Sequence, residues 1–189
     1  MDIEEIKDIV KNKLSEKRYK HSICVMEMCE KLAKTYNVDI ETARKVGIAH
    51  DVAKEMPKEE MISYCKQNNI QIDEIEMQNP GLLHGKIGAD IAKKEFGYNK
   101  QMQYAIECHT TGKPNMDMLA KILFVADAIS DDRDWADIPY LRKIANENID
   151  DAILQIIDLI IQEQIEKDKL IHLDGIRTRN ELLKNKLKH

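Results

Sequence analysis

The stretch Arg44-Lys45-Val46-Gly47-Ile48-Ala49-His50-Asp51-Val52-Ala53-Lys54 decides how this chain is read. Ala43, Val46, His50 and Ala53 recur at three and four residues, the period of one helix face, so an imidazole is turned toward an apolar interior. Asp51 follows about 100° further round the same helix. A carboxylate buried without a partner is costly, so something positive must face it. Taken alone, the pair is satisfied by a salt bridge to Lys54 or by a hydrogen-bonded core histidine. The reading therefore turns on what other segments send to the same place.

Outward from this stretch the period of three and four continues, with only seven Gly and four Pro in the chain. The pattern predicts an all-α protein, a helical bundle of roughly eight to ten helices. Turn residues such as Asn79-Pro80-Gly81 and Gly97-Tyr98-Asn99 divide it into helices over 2–14, 16–36, 40–54, 58–68, 84–96, 99–109, 116–131, 137–147, 150–168 and 175–187. Residues Asn68 to Pro80 read as a loop or plain connection. At 189 residues one core is expected: a single domain over 1–189, with its core at about 16–131 and the helices of 137–187 packed on it.

Five predicted helices each turn an imidazole or a carboxylate inward. His21 stands in line with Val25, Met28 and Leu32; His50 and Asp51 come from the opening stretch. His84 starts the helix that carries Ile87, Gly88 and Ile91, His109 ends the stripe of Met102, Ala105 and Ile106, and Asp127 interrupts that of Ala120, Leu123 and Phe124. Shared cations explain this repetition better than five separate buried polar residues. A ferritin-like di-iron site would need Glu-x-x-His pairs, and Glu107 precedes His109 by only two. Structural zinc would favour thiolates. Imidazole with carboxylate suits a divalent transition metal, namely iron(II), manganese, zinc or cobalt. His172 and His189 lie outside the pattern, His189 as a solvated terminus.

Charge and cysteine content limit the partners. With 29 basic and 34 acidic residues the net charge is -5, which disfavours nucleic acid but leaves room for a local basic pocket. Cys24, Cys29, Cys65 and Cys108 lack C-x-x-C spacing and Met1 to Arg18 resembles no signal region, so reduced thiols in a cytoplasmic protein are expected. The richest apolar run, Ile153 to Ile165, is too interrupted to span a membrane. The stripe Ile153, Ile156, Ile157 and Ile160 is read as core first and as a homodimer face second.

The order His21, His50-Asp51, His84, His109, Asp127 resembles that of the HD-domain metal-dependent phosphohydrolase superfamily. Ala49-His50-Asp51-Val52-Ala53-Lys54, Leu83-His84-Gly85, Ala105-Ile106-Glu107-Cys108-His109-Thr110-Thr111-Gly112 and Ile171-His172-Leu173-Asp174-Gly175-Ile176-Arg177 look like its bacterial YqeK-type branch. The similarity extends over nearly the whole chain. The resemblance implies an HD-domain fold and the activity of a symmetrical bis(5'-nucleosyl)-tetraphosphatase, which splits diadenosine tetraphosphate into two ADP. It further implies that His21, His50, Asp51 and Asp127 hold a first metal ion, iron being the first expectation. His84 and His109 either complete a second site bridged by Asp51 or face the phosphates. Where that branch reads Glu-Pro-Asn-Arg after the last Asp, this chain has Ser130-Asp131-Asp132-Arg133, which puts in doubt a supporting role at position 130.

Two ions about 3.5–4 Å apart clamp the entering and leaving oxygens of an in-line displacement, with water as nucleophile. Asp51 or Asp127 would orient the water. A polyphosphate bridge also calls for cationic side chains in the pocket. Lys54 and Arg133 rank first, being close in sequence to the metal candidates; Arg18 and Lys86 follow, and Arg177 rests mainly on the resemblance. Thr110-Thr111-Gly112-Lys113 reads either as a phosphate-binding nest or as an ordinary helix stop. The ligands expected are a dinucleoside polyphosphate and its nucleoside diphosphate product. The alternatives are a nucleoside-monophosphate phosphatase and a non-catalytic nucleotide-sensing module.

Overall fold

A computed structural model describes residues 1–134 and 137–188; the expectation for His189 falls outside them. The described residues contain eleven α-helices and no strand. In chain order they are α1 (Ile3–Lys13), α2 (Glu16–Thr35), α3 (Ile40–Ala49), α4 (Lys58–Gln67), α5 (Glu74–Gln78), α6 (His84–Phe96), α7 (Lys100–Cys108), α8 (Met118–Ile129), α9 (Ile138–Glu147), α10 (Ile149–Glu166) and α11 (Leu173–Lys186), with a 3-10 turn at Pro80–Leu83 before α6. None is long and apolar enough to cross a membrane.

The helix starts follow local chemistry. Asp2 caps α1 with a reciprocal bond from Glu5, and Ser15, Asp39, Asn99, Asp117 and Asn148 each accept a backbone N–H of the helix they precede. The same chemistry accounts for α5, which occupies a stretch read from sequence as a loop. Asp73 and Glu76 form a capping box there, and that short-range signal outweighs the weak apolar periodicity of the segment.

α2 packs on α3 and α8, α7 lies against α6 and α8, and α10 joins α8, α9 and α11. The approach of α2 to α3 is backbone-close, since a Cβ on Gly47 would lie 2.7 Å from Met26 Cα. A continuous apolar cluster runs from Ile6 through Val46, Ile106 and Leu123 to Ile157 and Leu182. Ile153, Ile156 and Ile157 are fully buried in it and Ile160 packs on its margin, so the α10 stripe serves the core first.

One boundary matters for the site. The periodicity predicts a helix through residue 54, but α3 ends at Ala49 with His50 as its C-cap. Beyond it the backbone bonds span three residues rather than four: Val52 N–H to Ala49 O at 3.1 Å, Lys54 N–H to Asp51 O at 2.8 Å and Met56 N–H to Ala53 O at 3.2 Å. This tighter winding carries Asp51 and Lys54 to positions that a regular helix would not give them.

Candidate metal centre

Each element delivers its polar group near an end or bend. His21 comes from the first half of α2, His50 from the C-cap of α3 and Asp51 from the turn after it; His84 is the first residue of α6, His109 caps α7, and Asp127 lies in the last turn of α8. The four histidines and Asp51 are at most 5% exposed. The Asp127 side chain keeps 23% of its surface, which leaves the cluster open on that side.

The ring orientations are held by a shared device. Nδ1 of His50 bonds Gly47 O at 2.7 Å, Nδ1 of His84 bonds Gly81 O at 2.6 Å, and Nδ1 of His109 bonds Ile106 O at 2.6 Å. A carbonyl oxygen only accepts, so each Nδ1 carries the proton and, in the neutral ring, each Nε2 presents a lone pair. His21 Nδ1 meets a carboxylate instead, Asp132 Oδ2 at 2.8 Å.

The Nε2 atoms converge. Those of His84 and His109 are 3.0 Å apart. Asp51 Oδ1 lies 3.2 Å from His84 Nε2 and 3.5 Å from His109 Nε2, while Oδ2 lies 3.4 Å from His50 Nε2 and 3.9 Å from His21 Nε2. Asp127 Oδ1 is 3.0 Å from His21 Nε2 and 3.9 Å from His50 Nε2. Close as these contacts are, His50 Nε2 and Asp51 Oδ1 are buried without a hydrogen-bond partner. That is the result expected where acceptors face acceptors.

A buried set of lone pairs and carboxylates with no proton between them is unfavourable until a cation is supplied. His21, His50 and Asp127 form one group with ligand atoms in range of a single ion, and His50, Asp51 and His109 form another. The donor set and the orphaned atoms fit a divalent metal.

The local fields agree. Burial pushes His84 down to about 4, so it is neutral near pH 7. Burial is the strongest single influence on His50 and acts in the same direction, but the Asp51 and Asp127 carboxylates and the Gly47 carbonyl together outweigh it and raise that group, so without a metal this position draws a proton as the positive charge the carboxylates call for. Burial works against ionised Asp51 and Asp127, yet the surrounding histidines hold both carboxyls low.

Three expected cations reach the rim. Arg18 Nη1 donates to Asp51 Oδ2 at 2.9 Å, Lys54 Nζ lies 3.2 Å from His84 Nε2, and Arg133 donates to Asp127 Oδ1 at 2.7 Å and to its carbonyl at 3.0 Å. Lys86 instead binds Glu76 and Gln71 O, tying α6 to the α5 segment. Arg177 pairs with Asp174 on the surface, 62% exposed. Thr110 places its hydroxyl oxygen beside Gly85, 3.3 Å from where a Cβ there would lie. The Gly112 N–H closes the end of α7 onto Cys108 O, which favours the helix stop over the phosphate nest.

The sequence reading singled out Ser130-Asp131-Asp132-Arg133 only as a departure from the family pattern and gave neither Asp132 nor its partner Ser130 a role. Both follow α8 in a turn, where helical periodicity carries no signal; only the doubled Asp131-Asp132 soon after Asp127 hinted at them.

A family model described as HD domain matches residues 18–132. Over 176 residues the chain is 36% identical to a protein of Halalkalibacterium halodurans named symmetrical bis(5'-nucleosyl)-tetraphosphatase, covering 93% of this chain and 94% of that one. A Bacillus subtilis protein of the same name is 32% identical over 184 residues, with 97% and 98% covered. Among solved structures, one described as a predicted HD superfamily hydrolase involved in NAD metabolism, from Clostridium acetobutylicum, superposes with a TM-score of 0.95 at 39% identity over 98% of each chain.

Proposed function

Because this chain belongs to the HD domain family, we infer that it is a metal-dependent phosphohydrolase that splits dinucleoside tetraphosphates, diadenosine tetraphosphate first among them, into two nucleoside diphosphates. Full-length similarity to two proteins named for that reaction supports the substrate class. The observation that carries the chemistry is the two-faced Asp51 carboxylate, one oxygen toward His84 and His109 and the other toward His50 and His21. We read this as a bridge between two ion positions. His21, His50 and Asp127 would hold one ion, His84 and His109 the other.

Divalent ions bound there supply Lewis acidity toward a phosphoryl oxygen and make water acidic enough to ionise near neutral pH. Asp51 and Asp127, both ionised, would hold the ions and orient the water through the lone pairs not taken by Arg18 and Arg133. Arg18, Lys54 and Arg133 offset the charge of the tetraphosphate, and their contacts to Asp51, His84 and Asp127 keep them at the rim. The water oxygen ends on one central phosphorus, and the bridging oxygen leaves on the other nucleoside diphosphate. His84 and His109 would assist as ligands, and Thr110 beside Gly85 lines the approach.

Iron(II) is the metal we favour, from the family resemblance; the imidazole and carboxylate donor set suits manganese, zinc and cobalt equally. The four free cysteines support a cytoplasmic location. The test is the product profile from diadenosine tetraphosphate with protein reloaded separately with iron(II), manganese or zinc. Two ADP, with no ATP or AMP, is expected. ATP with AMP would replace the symmetrical reading, and phosphate release from nucleoside monophosphates alone would replace the substrate.

A further inference from the structure

Four histidines face the centre, and one of them is held differently. His50, His84 and His109 each bond Nδ1 to the carbonyl three residues earlier, within their own helix or turn. His21 bonds Nδ1 to Asp132, 111 residues away in sequence. Asp132 is itself fixed, because the fully buried Ser130 donates its hydroxyl to Asp132 Oδ1 at 2.7 Å.

The turn that carries them is braced. Arg142 of α9 donates to Ile129 O and Ser130 O, both at 2.9 Å, and the Arg133 N–H closes on Ser130 O at 3.0 Å. Asp131 points the other way, to Lys31 and Arg142. One short turn therefore delivers Asp132 to the back of His21 and Arg133 to Asp127.

We propose that Asp132, oriented by Ser130, is a positioning residue of the metal centre that fixes the Nδ1–H tautomer of His21 and strengthens its Nε2 as a donor. A carboxylate makes a charge-assisted bond to the imidazole N–H, stronger than a carbonyl makes, and such partners raise the basicity of the ligating nitrogen. His21 is thus the strongest donor of the four. Ser130 and Asp132 act as a pair: the hydroxyl is useful because position 132 carries a carboxylate to hold. The proposal rests on the reading of the cluster as a metal centre.

The experiment measures zinc affinity by chelator competition and, on zinc-loaded protein labelled with 15N-histidine, the exchange-protected Nδ1–H signal of His21. Asp132→Ala is expected to weaken zinc binding by about 10–100-fold, the usual range for such partners, and to lose that signal. Asp132→Asn, close to the same shape but uncharged, should fall between Asp132→Ala and wild type. Ser130→Ala should give a smaller loss than Asp132→Ala, and Asp131→Asn should match wild type. If circular dichroism shows Asp132→Ala to be unfolded, Asp132→Asn decides. Zinc affinity and an Nδ1–H signal unchanged in Asp132→Asn would overturn the proposal while leaving the metal centre standing. A wild-type protein that binds no zinc would overturn both.

Discussion

The Nε2 atoms of His84 and His109 lie 3.0 Å apart, and each ring has already committed its Nδ1 proton to a backbone carbonyl. Two lone pairs at that distance repel unless something positive lies between or beside them. Lys54 Nζ, 3.2 Å from His84 Nε2, meets part of that need; a shared ion would meet the rest.

Zinc added to chelator-treated protein should therefore stabilise it. At a hundredfold excess over the dissociation constant the gain is about 2.7 kcal/mol, or about 5–10 °C in Tm at this chain length. His109→Gln should halve the bound metal measured by elemental analysis. An unchanged metal content in that variant would count against the second ion.

Asp51→Ala removes the bridge from both sets of histidines at once. Activity on diadenosine tetraphosphate should fall by at least about a hundredfold, beyond the usual effect of an outer-shell change. Metal content should fall with it. A variant that kept both would remove Asp51 from the centre.

Lys54→Met keeps an unbranched side chain one atom shorter and deletes its charge. Losing one charge-assisted contact to phosphate should cost about 1.5–3 kcal/mol of transition-state binding, about 10–100-fold in kcat/KM. Metal content should stay at the wild-type level, which separates this residue from the ligands. A metal loss as large as that of Asp51→Ala would make Lys54 a support for His84 instead.

Gly47→Ala should be among the most damaging single-methyl changes in the chain. The new Cβ would meet Met26 Cα at 2.7 Å and Met26 N at 3.1 Å, backbone atoms that cannot swing aside. Overpacking of this kind costs about 1–3 kcal/mol, readable in urea melts. Because Gly47 O holds His50 Nδ1, metal affinity should drop as well.

Acid should destabilise the metal-depleted protein through its buried carboxylates. Against the effect of burial, the neighbouring histidines hold Asp51 and Asp127 below the ordinary carboxyl range. The folded state then binds fewer protons than the unfolded one. Their contribution is present above the unfolded value of about 3.9 and is lost as pH falls from there toward the lower folded values. Urea melts should hold level from pH 7 to about pH 4 and decline from there to about pH 2, and Asp127→Asn should lessen the decline.

Much of this molecule was legible in one dimension because helices are local. Period, caps and turn residues depend on neighbours within four positions, so α2, α6 and α8 and the inward faces of His21, His84 and Asp127 were readable from spacing. The capping box of α5 was equally local, hidden by a weak apolar pattern. What tertiary structure alone decided was direction and partnership. The tighter winding after Ala49 turned Asp51 between two sets of histidines, and the brace from Arg142 brought Asp132 to His21 across 111 residues of chain. Lys86 and Arg177 looked like pocket cations and were drawn to Glu76 and Asp174. Spacing records which side of a helix a residue takes; which atom it meets there depends on how helices distant in sequence pack.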